Sequence, residues 1–310
     1  MNMKKQLGFF QVFSIATGAM ISSGIFILPG LAFARTGPSV FVSYALAGIV
    51  ALTSVFSICE MTSAMPKSGG DYFFITRSIG IPVGIISGFM SWLALSLKSA
   101  FAMVGIAEVL AGVFGLDPVM IALGSCLFFI ILNLVGVREA AGLQALLVAG
   151  LIAIMIIYII AGLPRISMSR FEPFAPSGFN RVIATTGFVF VAYGGLLKVA
   201  SVSEEVRDPT RNIPLALLSS LFVTIILYLF ILIVTVGVMD PKALSSSLTP
   251  IADGAAVIMG KTGFIILSVA SFLAFITTAN AGIMSASRYP LAMSRDQLLP
   301  GFIGKTPGKR

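Results

Sequence analysis

The sequence contains no histidine, only two cysteines and a single tryptophan, and these scarcities exclude several classes of function. Without histidine, the chain cannot build a Ser-His-Asp or Cys-His catalytic site, and it lacks the commonest side chain for transition metals. Cys59 and Cys126 both lie inside apolar runs, and two cysteines are too few for a disulfide framework or a cysteine-rich zinc site. We therefore expect no metal site and no cofactor.

Charge is also scarce. Charged residues make up 10% of the 310 residues and apolar residues 57%, whereas about 25% and 45–50% are usual in soluble proteins. The mean hydropathy is +1.04. A soluble chain of this length could not cover its surface with so few polar side chains, so the composition predicts a protein embedded in a lipid bilayer. The net charge of +8 does not indicate a nucleic-acid partner, because the basic residues are scattered between apolar runs without forming a stripe.

Eight runs are long and apolar enough to cross a membrane as helices, which need about 20 residues each. They cover residues 8–34, 38–64, 78–111, 118–136, 141–162, 182–203, 213–237 and 263–287. The sequence therefore predicts an all-α, multi-pass membrane protein with a single membrane domain over residues 1–310. With the N-terminus in the cytoplasm, twelve lysines and arginines fall inside and six outside, so we expect both termini on the cytoplasmic side of the cell membrane.

Enzymatic functions find little support in the remaining residues. All six aspartates fall outside the eight runs, which argues against an intramembrane aspartyl protease. The two Gly-Lys-Thr sequences, at residues 260–262 and 304–306, lack the upstream glycine of a phosphate-binding loop. We expect that the protein is not an enzyme.

Two of the eight runs contain weak points for a helix. The first run carries Ser22-Ser23-Gly24 near its middle, and the sixth carries Gly194-Gly195. Serine competes for main-chain hydrogen bonds and glycine loses more conformational entropy than other residues, so either sequence favours an unwound break. A small-residue packing face is the alternative for the first run. Two broken helices five spans apart are typical of a substrate site in a transporter built from inverted repeats.

Four segments resemble the amino acid–polyamine–organocation (APC) superfamily of amino acid permeases, and they occur in the family's order along nearly the whole chain. They are Ser22-Ser23-Gly24-Ile25-Phe26 followed by Pro29-Gly30; Glu60 followed by residues 65–72, Met-Pro-Lys-Ser-Gly-Gly-Asp-Tyr; Tyr193-Gly194-Gly195 leading into residues 204–214; and Ser287-Arg288 with residues 293–300.

The resemblance implies a leucine-transporter-like fold with two inverted five-helix repeats. The first repeat would cover residues 8–162, and helices six to eight of a partial second repeat would cover residues 182–300. Relatives have a ninth and a tenth helix, and residues 301–310 are too short to supply them. We therefore expect that the 310 residues alone are not a complete transporter and that missing C-terminal helices or a second chain complete it.

The function implied is that of an amino acid permease, which moves its substrate by alternating access in secondary active transport. We expect a neutral amino acid, because no carboxylate lies at mid-membrane in the predicted pocket helices to balance a cationic side chain. A non-transporting amino-acid-binding sensor, or a subunit or fragment of a split permease, is the alternative.

An amino acid needs a site for its carboxylate and a site for its ammonium group. The N-terminus of a half-helix suits the carboxylate, which points to Ser23, Gly24 and Ile25. Main-chain oxygens at the end of the preceding half of helix six suit the ammonium group, near Phe190, Val191 and Tyr193. The resemblance adds four residues, Met20 and Ser22 on the carboxylate side and Gly194 and Gly195 at the second break.

Charged and hydroxyl side chains within the runs are candidates for ion coupling. Lys98 and Lys198 lie inside predicted spans, where a charge is costly and is by default a functional hypothesis. Lys198 could pair with a carboxylate near the cytoplasmic vestibule, and a desolvated lysine could instead exchange a proton. Thr277 and Thr278 are of the right type for a sodium site facing the first helix, although helix-packing threonines are equally common. The coupling ion, H⁺ or Na⁺, is left open.

Several charges fall at the inner ends of the predicted helices. We interpret Glu60, Glu204, Glu205 and Arg288 as part of a cytoplasmic gate of ion pairs that breaks when the inside opens. Solvated loop charge is the alternative interpretation.

Overall fold

The computed structural model describes residues 5–302 and residue 304, and in that part of the chain the secondary structure is almost entirely helical. The α-helices are α1 Phe9–Met20, α2 Ser23–Phe26, α3 Leu28–Thr36, α4 Val40–Ala64, α5 Gly70–Ser78, α6 Ile81–Phe114, α7 Pro118–Val135, α8 Val137–Gly162, α9 Phe179–Val189, α10 Leu196–Ser201, α11 Pro209–Val238, α12 Pro241–Ser246, α13 Pro250–Ala286 and α14 Arg288–Arg295.

Each of the eight predicted spans coincides with helix. Spans two, three, four, five and seven correspond to α4, α6, α7, α8 and α11. The first span is divided among α1, α2 and α3, and the sixth is divided between α9 and α10. Within the described residues, seven helical stretches are long and apolar enough to cross a membrane, while α1 falls short of that length because it ends at the first break.

Three further helices, α5, α12 and α14, were not predicted, because they are short or mixed in polarity and do not form long apolar runs. The eighth span also begins earlier than predicted. A further helical segment precedes it, and Gly260, with a φ of 63°, kinks α13 between the two parts. Asp71 and Asp253 lie in these helical segments, and neither is inside a predicted apolar span.

The core is built where the two halves of the chain interleave. Helix α11 packs against α4 and α1, and α13 packs between α6 and α8. Buried side chains from α1, α4, α8, α11 and α13 form one continuous apolar cluster. The breaks in the first and sixth spans lie inside this cluster, because Met20, Ile25 and Tyr193 are all members of it.

Buried amides fix α13 to its neighbours. Asn280 donates hydrogen bonds to Gln144 Oε1 and to the main-chain oxygen of Ala140, each at 3.0 Å, and its Oδ1 accepts one from Asn133 at 3.2 Å. In a low-dielectric interior such bonds favour one register of packing. These hydrogen bonds tie α13 to α7 and α8, and the three helices form a frame beside the broken helices.

Several basic residues at the two ends of the helices contact other elements. At one end Arg77, Arg288 and Arg295 form ion pairs, and Leu7 pairs through its main chain with Val206. At the other end, the guanidinium groups of Arg165 and Arg170 donate to the main-chain oxygens of Ile258 and Met239, and Arg35 lies over the ring of Phe188. Which end faces the cytoplasm stays a prediction. The division into two repeats stays a prediction.

Candidate substrate site and gate

The first span unwinds between Met20 and Ser23. Ile21 leaves the helical conformation, with a ψ of 89°, and α2 begins at Ser23. The main-chain oxygens on either side of the break find partners elsewhere, because Tyr228 of α11 donates to Met20 at 2.8 Å and Tyr44 of α4 donates to Gly24 at 3.0 Å. The predicted break is therefore present, and side chains from two other helices hold it open.

The sixth span is interrupted in a similar way. Helix α9 ends at Val189, a 3-10 turn covers Phe190–Tyr193, and α10 begins only at Leu196. Turn hydrogen bonds replace the helical ones, from Gly194 N to the oxygen of Val191 at 3.1 Å and from Gly195 N to the oxygen of Tyr193 at 2.8 Å. Each bond uses one of the two lone pairs on an oxygen that we expected to face an ammonium group.

The two breaks touch each other. A Cβ atom placed on Gly24 would lie 2.8 Å from the Cα of Ala192, and one placed on Gly195 would lie 2.6 Å from the carbonyl carbon of Ala19. Real Cβ atoms do not approach other atoms so closely, so glycine is required for the main chains to meet. The breaks that the sequence predicts five spans apart are thus adjacent in space.

Three tyrosines fill the space beside the paired breaks. The rings of Tyr44 and Tyr193 lie 5.8 Å and 5.3 Å from the ring of Tyr228, and all three side chains are buried. Tyr193 also donates to the main-chain oxygen of Tyr44 at 2.9 Å. Sequence reasoning named Tyr193 but missed Tyr44 and Tyr228. The signal that could have identified them is a tyrosine inside an uncharged span, because a buried phenol needs a polar partner.

The remaining predicted substrate residues differ in how deeply they are buried. Met20, Ser22 and Ile25 are buried at the first break, whereas only the main chain of Ser23 is described. Phe190 is partly buried against the core. The side chain of Val191 is 59% exposed.

The two lysines differ from the expectation. Lys198, near the start of α10, is 1% exposed and donates to the main-chain oxygen of Thr278 at 3.2 Å, not to a carboxylate. The expected carboxylate pairing is wrong because the nearby glutamates are held by arginines. Lys98 is only partly buried and lies midway along α6.

One of the two threonines of α13, Thr277, faces the first helix, as a sodium site would require. Thr277 Oγ1 lies 3.4 Å from the main-chain oxygen of Gly18 and 3.0 Å from that of Ala274. The hydroxyl of Thr278 is buried and has no hydrogen-bond partner among the described residues. The geometry allows either an ion-binding or a packing role.

Ion pairs join the elements at the end of the molecule where Leu7 meets Val206. Glu205 pairs with Arg288 at 2.7 Å, and Glu204 pairs with Arg295 at 2.7 Å; both glutamates are about 5% exposed. Glu60 lies exposed at the end of α4, and no ion pair of it is found among the described residues. The structure therefore brings together three of the four predicted gate residues and adds Arg295.

Further polar contacts, beside the ion pairs of Glu204 and Glu205, hold α5 against α14. The sequence analysis did not predict these contacts. Arg77 and Tyr72 both donate to Asp296, at 2.9 Å and 2.8 Å. Hydrogen bonding to Arg77 holds the pKa of Asp296 below its usual value, and burial followed by the bond to Asp296 raises the pKa of Tyr72 to about 12. Burial raises the pKa of Glu205, and the charge of Arg288 opposes that change.

Comparison with known proteins settles the family. A profile described as amino acid permease matches residues 7–310. The chain belongs to this family. This permease is 30% identical to the methylthioribose transporter of Bacillus subtilis over 98% of its own length and 70% of that protein's. It is 29% identical to the branched-chain amino acid permease BcaP of Lactococcus lactis, covering 94% of its own length and 69% of that protein's.

Two further comparisons bear on length and on fold. The permease is 29% identical to cationic amino acid transporter 9 of Arabidopsis thaliana over 97% of its own length but only 57% of that protein's, so it spans little more than half of this relative. A Na⁺-coupled sialic acid symporter, solved in a substrate-bound outward-open state, superposes with a TM-score of 0.65 at 12% identity, over 98% of this chain and 68% of that one. The leucine-transporter-like fold implied by the sequence is thereby confirmed.

Proposed function

We propose that this permease carries a neutral amino acid across the cell membrane by alternating access, as a secondary active transporter. The observation that carries the proposal is the direct contact of the two helix breaks, Gly24 against Ala192 and Gly195 against Ala19, within a permease-family chain. Helix breaks at mid-membrane leave main-chain groups for a ligand's charged ends, and they are the usual substrate site of transporters with this architecture.

The surroundings of the breaks favour a substrate with a neutral side chain. The side chains described there are Met20, Ser22, Ile25 and the three tyrosines, all uncharged at neutral pH. A cationic side chain buried among them would have no counter-ion, and burying an unpaired charge is strongly unfavourable. The carboxylate would take main-chain N–H groups near Ser22, Ser23 and Gly24, and the ammonium group the oxygens near Phe190 and Val191.

Alternating access requires a gate on each side of the site. In this structure Met20, Ser22 and Ile25 are buried, and the Glu205–Arg288 and Glu204–Arg295 pairs join the segment after α10 to α14. We assign this end to the cytoplasm, in agreement with the distribution of basic residues. Opening toward the cytoplasm would then separate both pairs and move α10 away from α13.

Uptake into proteoliposomes tests this proposal. Reconstituted together with the membrane segment or second chain that we expect to complete it, the chain should accumulate labelled leucine or alanine, and Gly195→Ala, which forces a Cβ atom into Ala19 and Met20, should abolish the uptake. Gly187→Ala is the matched control, because nothing lies within 4 Å of a Cβ atom at that position. Unchanged uptake by Gly195→Ala would contradict the assignment of the site.

The alternative function is that of an amino-acid-binding sensor or of one subunit of a split permease. The chain spans 49% of the length of cationic amino acid transporter 2 of Arabidopsis thaliana and 73% of that of the transport protein YbaT of Escherichia coli. An amino-acid-binding sensor, or one subunit of a split permease completed by further helices or a second chain, would retain the site without transporting alone. Saturable amino acid binding without uptake into proteoliposomes, with uptake restored by a co-reconstituted membrane partner, would favour the subunit; binding without any restored uptake would favour the sensor.

A further inference from the structure

We infer that Gln144 is an ion-selectivity residue: its side-chain amide closes the candidate sodium site at Thr277 to cations, so that amino acid binding by this permease does not depend on Na⁺. The effect on amino acid binding rests on the proposed transport function. The exclusion of sodium itself rests on the contacts among α1, α8 and α13.

The oxygens around Thr277 are the feature that favours a cation. Thr277 Oγ1 lies 3.4 Å from the main-chain oxygen of Gly18 and 3.0 Å from that of Ala274, so oxygens from two helices meet there. Hard cations bind such oxygens, and transporters with broken helices use them for Na⁺. The fold is compatible with sodium coupling, since a Na⁺-coupled symporter shares it. A further neighbour, Gln144, decides whether a cation fits.

The amide of Gln144 lies directly against these residues. Gln144 belongs to α8 and is 0% exposed. A Cβ atom placed on Gly18 would lie 2.4 Å from Gln144 Nε2 and 3.2 Å from the Cβ of Thr277, so the amide nitrogen fills space that a side chain at Gly18 would need. Nε2 has no hydrogen-bond partner among the described residues. Two unpaired N–H hydrogens therefore lie beside Gly18 and Thr277.

Main-chain oxygens fix which end of the Gln144 amide faces the first helix. Asn133 donates to the main-chain oxygen of Phe129 at 2.8 Å and to Asn280 Oδ1 at 3.2 Å. Asn280 donates in turn to the main-chain oxygen of Ala140 and to Gln144 Oε1, each at 3.0 Å. Because a main-chain oxygen only accepts, reversing any of the three amides would set nitrogen against nitrogen or oxygen against oxygen. Oε1 therefore faces Asn280, and the NH₂ group of Gln144 faces α1.

The groups around this amide do not compensate a cation. An amide N–H carries a positive partial charge, and its repulsion of a cation is strong in an interior of low dielectric constant. Helix α1 and residues 263–286 of α13 contain no acidic side chain, and the acidic residue of α8, Glu139, is exposed near the start of that helix. Beside Thr277, the main-chain oxygen of Thr278 accepts from the amine of Lys198 at 3.2 Å. The donors present do not fit Na⁺.

Replacing one nitrogen by oxygen should reverse this selectivity. In Gln144→Glu, one carboxylate oxygen can still accept from Asn280, and the other takes the place of Nε2 beside Gly18 and Thr277. The site then has a negative charge and no N–H group directed at it. We expect this variant to bind Na⁺.

The melting temperature of the ligand-free chain tests the exclusion of sodium directly. The purified full chain in lipid nanodiscs at pH 8 is heated at increasing NaCl concentration, with choline chloride keeping the ionic strength constant. A cation that binds only the folded protein raises its melting temperature. Wild-type protein should melt at the same temperature at every NaCl concentration, whereas Gln144→Glu should gain several degrees in a saturable manner.

Gln11→Glu is the matched control, because it makes the same replacement in the first turn of α1, where the side chain accepts from Gly8, and it should show no response to Na⁺. Thr277→Val in the Gln144→Glu background removes one oxygen of the site and should reduce the gain. A folded Gln144→Glu protein without a sodium response would overturn the inference. A saturable gain by wild-type protein that Thr277→Val removes would also overturn it, and this comparison needs no variant of Gln144.

Leucine binding separates this inference from the proposed function. Wild-type protein should bind leucine with the same affinity in NaCl and in choline chloride, and leucine binding that requires Na⁺ would overturn the inference. If wild-type protein binds no leucine in either salt, the proposed function fails. The melting temperatures of the ligand-free chain then still decide whether Gln144 excludes sodium.

Discussion

Tyr228 of α11 donates a hydrogen bond to the main-chain oxygen of Met20, at 2.8 Å, at the residue where α1 ends. The same hydroxyl lies 3.5 Å from the oxygen of Ala192 in the second break. One phenol therefore reaches both interrupted helices. Because unsatisfied buried main-chain groups are costly, this side chain stabilises the open geometry of the site.

Replacing this hydroxyl tests its role. Tyr228→Phe leaves the Met20 oxygen without its partner and should lower the free energy of unfolding by about 1–3 kcal/mol. It should also weaken amino acid binding several-fold. Tyr158→Phe is the control, since that buried tyrosine bonds to Thr235 at 2.8 Å away from the breaks. It should destabilise the fold without changing the affinity; equal losses of affinity in both variants would contradict the assignment.

The close approach at the first break predicts a steric effect. In Gly24→Ala the new methyl group would lie 2.8 Å from both the Cα and the Cβ of Ala192. Overpacking of this kind typically destabilises by about 1–3 kcal/mol. We expect a lower melting temperature and loss of binding, whereas Gly142→Ala, with open space at its Cβ, should resemble wild type. Normal binding by Gly24→Ala would show that the breaks need not touch.

The pair between Glu205 and Arg288 predicts a change in access from the inner side. Arg288→Gln leaves a buried carboxylate without its partner and should favour the inward-open state. The probe is a Ser201→Cys substitution in a background with Cys59 and Cys126 replaced by alanine, and the measurement is its rate of labelling by a maleimide. If the free-energy difference between the closed and inward-open states falls by about 1.4 kcal/mol, labelling should become tenfold faster.

Arg211→Gln is the control for this experiment, because Arg211 is exposed at the start of α11. It should leave the labelling rate unchanged. If Arg288→Gln labels no faster than this control, the ion pair is a structural contact and not a gate.

The buried position of Glu205 predicts a pH dependence of stability. Burial raises the pKa of this carboxyl in the folded state, so the fold binds its proton more tightly than the unfolded chain does. Stability should therefore rise as the pH falls from 7 through the raised pKa, and level off below the unfolded value of about 4.3. Wild-type protein should gain melting temperature relative to Glu205→Gln between pH 7 and pH 5; an opposite difference would show that the pairing with Arg288 outweighs burial.

The sequence predicted the spans and both breaks because those features are local. Long apolar runs specify membrane helices, and Ser22-Ser23-Gly24 and Gly194-Gly195 weaken a helix wherever they occur. It did not predict Tyr44 and Tyr228 at the site, since their roles depend on which helices become neighbours. The partner of Lys198 was wrong for a related reason: Glu204 and Glu205 are near in sequence, but arginines from α14 reach them first.

The most direct measurement of the central claim is equilibrium binding of amino acids to the purified chain in lipid nanodiscs, comparing leucine and alanine with arginine and lysine, in wild type and in Gly195→Ala. The account predicts saturable binding of the neutral amino acids, little competition by the cationic ones, and loss of binding in Gly195→Ala. Arginine or lysine binding as tightly as leucine, or leucine binding that survives Gly195→Ala, would contradict it.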